Sequence, residues 1–374
     1  MDNCIGIIST DVNDGNFGNL CKPRPAYMLP IGGRYRLIDF TISNMINHGI
    51  KTVAVYTGPK IRSTMDHLGN GKAWDLNRRF SGLFIFPPSY EEKSINLIGN
   101  ISDYYSTEHF FNRMREEYII LAEPSIIAKV DLNKVFKHFI DTDVDMTLVY
   151  KKKEDPKGNL INSDKLYLDD KDNLKRIGIN LGTEKEFNHF IGIIFLKKKV
   201  FLELVRDSIE KGNTNTFKQI IAKNLDKYKI NTYEFKGHVE SINNLKGYYD
   251  TNMTLLKRDV SRNIFFDGGS IETKSKDEPS TLYGENSKVE NSLVANGCII
   301  EGEVESSIIF RGVKIEKGAI IKNSIVMQKS VIEEGAIVVN SILDKYTRVK
   351  KNARITGSQS LPYVVEKYST IDNG

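Results

Sequence analysis

Residues 313–343 read VKIEKGAIIKNSIVMQKSVIEEGAIVVNSIL. Val313, Ala319, Ile325, Val331, Ile337 and Leu343 recur at a step of six. The same step reaches back through Val289, Ala295, Glu301 and Ser307, and forward to Val349 and Ile355. Gly297, Gly302, Gly312, Gly318 and Gly335 fall between these positions, and Asn-Ser recurs at Asn291, Asn323 and Asn340. An apolar period of six with turn residues between predicts a left-handed parallel β-helix. Each short strand turns one side chain inward and then rounds a triangular corner. A β-sandwich would show a period of two instead, and that period does not hold its phase here.

The chain before these repeats has a different pattern. Cys4–Ser9, Lys51–Thr57, Tyr118–Leu121, Val144–Tyr150 and Phe190–Leu196 are short apolar runs that read as buried strands. Phe40–His48, ended by Gly49, and Leu132–Ile140 read as helices between them. Strands alternating with helices predict an α/β domain with a mostly parallel, Rossmann-like sheet, which binds ligands at the carboxyl ends of its strands. The division is read as an α/β domain at 1–255, a linker at 256–280 and a β-helix at 281–374. The stretch Thr254–Pro279 begins helical and ends polar.

Composition narrows the function. With 374 residues, 40% hydrophobic and 27% charged, the chain has enough apolar material for a folded core, so disorder throughout is excluded. A net charge of +5 is too mild for the basic footprint of a nucleic-acid binder. No apolar run reaches bilayer length, and the start Met1-Asp2-Asn3-Cys4 does not read as a secretory signal. The three cysteines, Cys4, Cys21 and Cys298, are far apart and suit a reducing cytoplasm rather than a disulfide framework or zinc site.

Residues 20–49 read LCKPRPAYMLPIGGRYRLIDFTISNMINHG. This segment resembles the ADP-glucose pyrophosphorylase family at Leu20, Arg24, Gly32, Gly33, Arg34, Tyr35, Arg36, Asp39, Phe40, Ser43, Asn44, Asn47 and Gly49. That family joins a nucleotidyltransferase-like α/β domain to a left-handed β-helix. It converts ATP and glucose 1-phosphate to ADP-glucose and pyrophosphate. Attack on the α-phosphate builds charge on phosphate oxygens, so the reaction needs a divalent metal, basic side chains and backbone N–H groups.

The resemblance implies fixed places for these parts, and most are replaced. The glycine-rich phosphate loop becomes 10–20, TDVNDGNFGNL. Asp11, Val12 and Asp14 stand where glycines belong, and Asn16 stands at the arginine that stabilises pyrophosphate. Gly15 and Gly18 are its remaining glycines. A carboxylate within about 4 Å of a phosphate costs on the order of 1–4 kcal/mol. The first metal-binding aspartate is replaced by Ser125 and the second by Ser241. The sugar-holding Glu-Lys-Pro has no counterpart in 175–183, and Phe190-Ile191-Gly192-Ile193-Ile194 replaces Ser-Met-Gly-x-Tyr. Ala26 replaces a family lysine, which leaves Arg24. Hard cations need anionic oxygens, and neither expected carboxylate is present.

A scaffold kept while the chemistry is lost resembles the GlgD-type branch of this family. That resemblance implies a weakly catalytic or non-catalytic regulatory subunit of glucose-1-phosphate adenylyltransferase in glycogen biosynthesis. It implies a catalytic GlgC-type partner in a hetero-oligomer, expected to be a tetramer. No metal or cofactor is expected on this chain, and Mg²⁺ is expected to serve the catalytic partner. Sugar-phosphate or nucleotide effectors, but no nucleic acid or membrane, are the expected further partners.

Two other readings are open. An active sugar-phosphate nucleotidyltransferase with relocated ligands would use Glu123, Asp11 and Asp14, which otherwise read as solvated loop charges. A hexapeptide acyltransferase would need a histidine base in the repeats, yet all six histidines precede them, from His48 to His238. Lys22, Arg24, Arg34 and Arg36 form a basic cluster. It reads either as an effector-phosphate site or as an ion-pair network with Asp39. Gly71, Trp74 and Asp75 resemble the family's loop near the nucleotide, and Gly99 falls where the family has a nucleotide-binding glycine. Trp74 reads equally well as a packed loop aromatic.

Overall fold

The structure is a computed structural model that describes residues 1–9, 12–88, 100–155, 158, 160–212 and 216–372. Asp11 and Gly99 therefore lie outside the described residues. The chain forms two compact units. One holds Met1–Asn13, Ile38–Asn243 and Ile264–Glu272; the other holds Asp14–Leu37, Asn244–Asn263 and Thr273–Gly374.

The first unit is built on a nine-stranded sheet. Its strands are β1 (Cys4–Ile8), β2 (Thr52–Tyr56), β3 (Gly82–Phe86), β4 (Tyr118–Ala122), β5 (Met146–Glu154), β6 (Asp164–Leu168), β7 (Leu174–Ile179), β8 (Glu186–Lys197) and β9 (Ile230–Glu234). The order is β7-β6-β8-β4-β1-β2-β3, with β5 also on β8 and β9 on β5. Strands β3, β2, β1 and β4 run parallel, as does β9 to β5. Residues of β1 and β2 are buried along their whole length, which is why they read as unbroken apolar runs. The helix Leu37–Asn47 forms the second half of the signature motif, and Gly49, at φ 85°, ends it.

Strand β8 changes the sheet's character. It runs antiparallel to β4, β5 and β6, so this half is not parallel. His189 pairs with Lys165 of β6, whereas Ile193 pairs with Ala122 of β4, and the register slips between Phe190 and Ile193. Gly192 makes that slip possible at φ 71°. A Cβ there would lie 2.7 Å from Glu123 Cβ.

In the second unit, three parallel sheets stack as the faces of a hexapeptide β-helix. One face runs from Leu282–Tyr283 to Thr370–Ile371, the next from Lys288–Glu290 to Arg354–Thr356, the third from Leu293–Val294 to Tyr363–Val365. The step of six holds well at Val313, Ala319 and Ile325, which are buried. It slips at Val331 and Ile337, which are half-buried, while Ile332 and Val338 point inward instead. The cause is coil length. Lys314 pairs with Val331 and Val331 with Arg348, so these coils are one residue short of three steps of six.

The shortened corner carries the Asn-Ser repeat. Asn291, Asn323 and Asn340 sit at φ 43–47°, a left-handed conformation that asparagine tolerates. Each following serine binds back to a carbonyl, and Ser292 and Ser324 also receive the next coil's N–H. Ser324 Oγ donates to Lys322 O at 2.7 Å and accepts from Ser341 N at 3.1 Å. Ser307 does the same one coil earlier, accepting from Ser324 N at 3.0 Å. This polar ladder satisfies buried backbone groups that would otherwise cost about 1–3 kcal/mol each. The Gly32-Gly33 turn also belongs to this unit. It closes a hairpin between Pro30–Ile31 and Tyr35–Arg36 with positive φ at both glycines. An added Cβ at Gly33 would meet Ala295 Cβ at 3.7 Å, an ordinary contact, so it is the positive φ of 83° that calls for glycine.

The three cysteines are free and buried. Among the described residues, no helix is long and apolar enough to cross a membrane.

Candidate functional site

At the end of β4 the chain turns through Glu123-Pro124-Ser125, with Ile126 N donating to Glu123 O at 3.4 Å. It then enters a small ladder in which Ile126–Ala128 pairs with Val239–Ser241. Ile242 N donates to Ser125 O at 2.8 Å, so the segments that carry Ser125 and Ser241 are tied together. These are the two positions at which the resemblance places metal-binding aspartates.

Neither serine presents an anion. Ser125 Oγ is buried and has no hydrogen-bond partner among the described residues. Ser241 Oγ lies 2.7 Å from His189 Nε2. Burial, and then the nearby Lys153 ammonium, push the His189 imidazole down to about 3, so it stays neutral. Lys153 itself, held down chiefly by burial, donates to Val239 O at 2.9 Å. Lys151 donates to Gly237 O and fastens the same strand. A hard divalent cation needs anionic oxygens, and two hydroxyls beside a neutral imidazole do not supply them. Among the described residues, no group of three or more His, Cys, Asp or Glu could hold a metal.

The other predicted parts of this unit are occupied too. Glu123 Oε1 lies 3.4 Å from Lys218 Nζ, and Lys218 also pairs with Asp164. Phe190 stands where the family has a serine, and it is packed into the main hydrophobic core. Trp74 is fully buried; its indole N–H donates to Glu272 O at 3.1 Å, and its ring meets His67 edge-on. His67 Nε2 lies 2.6 Å from Asp39 Oδ1, so the motif's aspartate pairs with a histidine.

The remaining predicted residues gather in the β-helix unit. Asp14 Oδ1 accepts the backbone N–H of Ala26 at 2.8 Å, which staples the loop. Gly15, Asn16 and Gly18 are exposed. Arg24 is buried and reaches both oxygens of Asp344, at 2.9 and 3.0 Å. Lys22 pairs with Glu366 at 2.9 Å on the surface. Arg34 lines a cleft of about 330 Å³ with Gly32, Gly33, Lys276, Asn296 and Arg311. Arg36 and Arg24 face Lys345, which burial and those two guanidiniums push down to about 6. Lys276 is also lowered, first by burial and then by Arg311 and Arg36. This region therefore has more positive charge than its carboxylates balance, a setting that favours a bound anion.

Sequence reasoning missed Lys153, His189, Lys218, Lys276, Arg311, Asp344 and Lys345. Asp344 left a signal: a carboxylate directly after the inward-facing Leu343 stands where the repeat offers burial, so it needs a cation. The others are ordinary charges in sequence, brought together only by folding.

Comparison with known proteins agrees with this architecture. The nucleotidyl transferase family matches residues 19–258, and the GlmU-like, C-terminal hexapeptide family matches 279–361. The glycogen biosynthesis protein GlgD of Bacillus subtilis is 31% identical, over 85% of this chain and 82% of its own length. GlgD of Geobacillus stearothermophilus is 33% identical over the same shares. Glucose-1-phosphate adenylyltransferase of Clostridium perfringens is 30% identical over 82% of this chain and 77% of its own. On the signature motif, the two-part fold and these relatives, the chain belongs to the ADP-glucose pyrophosphorylase (glucose-1-phosphate adenylyltransferase) family and is related to its GlgD members in glycogen biosynthesis.

Proposed function

We propose that this chain is a regulatory, weakly catalytic or non-catalytic subunit of glucose-1-phosphate adenylyltransferase. It acts with a catalytic GlgC-type subunit in a cytoplasmic hetero-oligomer, and Mg²⁺ serves the catalytic partner alone. One observation carries the reading: the two metal positions are hydroxyls, and the second is spent on a buried neutral histidine. The core packing of Phe190 supports it, because a sugar phosphate needs a polar pocket there.

The cleft beside Gly32-Gly33 gives the regulatory role a chemical basis. Arg34, Lys276 and Arg311 line it, and an anionic effector such as a sugar phosphate or nucleotide would neutralise them. Binding there would alter the partner's substrate affinity through the subunit contact, a coupling of about 1–3 kcal/mol. The test mixes this chain with the catalytic subunit from the same organism. A mixed oligomer by light scattering, with a substrate or effector affinity different from that of the catalytic subunit alone, is expected. No mixed oligomer, or identical affinities, would contradict the role. The alternative, an active enzyme with relocated ligands, has its Glu123 engaged by Lys218 and its Asp14 by Ala26 N–H.

A further inference from the structure

The relatives' chemistry calls for a divalent cation at the carboxyl end of β4, and the donor set there does not fit one. The charges that are present suggest what stands in its place. Glu123 follows β4 directly, Asp164 opens β6, and Lys218 lies in the helix Phe217–Lys223. The Lys218 ammonium lies 3.4 Å from Glu123 Oε1 and bonds Asp164 Oδ2. The three side chains are 13%, 17% and 28% exposed, so their charges are only partly screened. Glu123 is also fixed from behind. Its N–H donates to Gly192 O at 3.0 Å, and Gly192 lacks the Cβ that would displace its side chain. The backbone of Glu123 is thus fixed two residues before Ser125, and its carboxylate is paired with Lys218.

We infer that the ammonium of Lys218 takes the place of a divalent cation in this unit, bridging Glu123 and Asp164, so that the chain carries its cation on its own side chain. Two partly buried carboxylates that face one cation are held together by it and repel without it. A lysine meets the electrostatic need permanently, requires no free metal and cannot activate a phosphate by inner-sphere coordination. Lys218 also lies near enough to His189 to help keep that imidazole neutral. The site is therefore closed to Mg²⁺ by charge as well as by the loss of ligands. This inference rests on the non-catalytic reading. Its test measures metal binding rather than turnover, so the two can fail separately.

The test titrates Mn²⁺ alone into the full chain and follows free Mn²⁺ by electron paramagnetic resonance. The wild type is expected to show no saturable binding. Lys218→Ser leaves two unbridged carboxylates and is expected to gain one Mn²⁺, on the order of 10-fold tighter than any wild-type binding. Adding Glu123→Gln is expected to remove that gain, and Lys218→Arg to behave as wild type. Thermal melting with and without Mg²⁺ covers the case in which Lys218→Ser folds poorly. Recovery by Mg²⁺ supports the inference, and failure in both conditions overturns it, because a divalent ion then does not substitute for the ammonium. Saturable Mn²⁺ binding by the wild type that Glu123→Gln abolishes overturns it too. So does a folded Lys218→Ser that gains no Mn²⁺.

Discussion

The two units treat their charged groups in opposite ways. At the end of β4, every cation has a partner: Lys218 has Glu123 and Asp164, and Lys153 and Lys151 have backbone carbonyls. In the β-helix unit, Arg24 is matched by the buried carboxylate of Asp344, while Arg34, Lys276 and Arg311 line a cleft, and Lys345 is pushed down to about 6 by burial and by its cationic neighbours. In the first region the cations are held by carboxylates and carbonyls, and in the second Lys276 is lowered by burial and by Arg311 and Arg36 while Glu278 lies among them. On the function proposed above, the first region is a former catalytic centre and the second an effector site.

The largest expected effect strikes this matched pair in the basic region. Arg24→Ala leaves Asp344 buried and unpaired, and denaturant unfolding should show a loss of about 3–5 kcal/mol. A loss below about 1 kcal/mol would mean that water reaches this pair. Next comes the neutral histidine of the closed site. Its native imidazole titrates near 3 and its unfolded one near 6.5. Above pH 6.5 neither state is protonated and its contribution to stability is fully present. As pH falls through 6.5 toward 3, the unfolded state takes up a proton first, and stability drops by up to about 1.4 kcal/mol per pH unit. His189→Gln should flatten that acid limb in pH-dependent melting; an unchanged limb would mean that His189 is solvated.

A smaller effect tests the open region. Arg311→Ala should weaken inorganic phosphate binding about 10-fold by calorimetry, or about 1.4 kcal/mol. An anion there also favours protonated Lys345. Binding just above pH 6 should therefore take up a proton, read from the dependence of the heat on buffer. The smallest effect belongs to the exposed pair. Lys22→Ala breaks only a surface contact with Glu366 and should cost less than about 1 kcal/mol.

How much of this was legible depended on whether the information is local. The β-helix was visible because its period repeats over many short strands, and even its slip at Val331 and Ile337 was a one-residue matter of coil length. The Asn-Ser repeat was visible as a pattern but not as a ladder, since its bonds run between coils. The direction of β8 was hidden, because an apolar run such as FIGIIFL reads the same in a parallel or antiparallel sheet. Ser125 and Ser241 stood out because a hydroxyl occupied an expected carboxylate's place. Their surroundings did not, because His189 reaches Ser241, and Lys218 reaches Glu123, only through the folded sheet. Arg24 was visible as a motif residue, yet its partner Asp344 lies in the repeats at the other end of the chain.

The central claim is that the catalytic centre has been closed, and turnover by the isolated chain tests it most directly. The measurement is the rate of ADP-glucose formation by the purified protein with saturating ATP, glucose 1-phosphate and Mg²⁺, and no catalytic subunit. With metal ligands, glycine loop and sugar clamp all replaced, the rate should fall at least ~10³-fold below that of an active family member. A rate within about 10-fold of an active member would contradict the account.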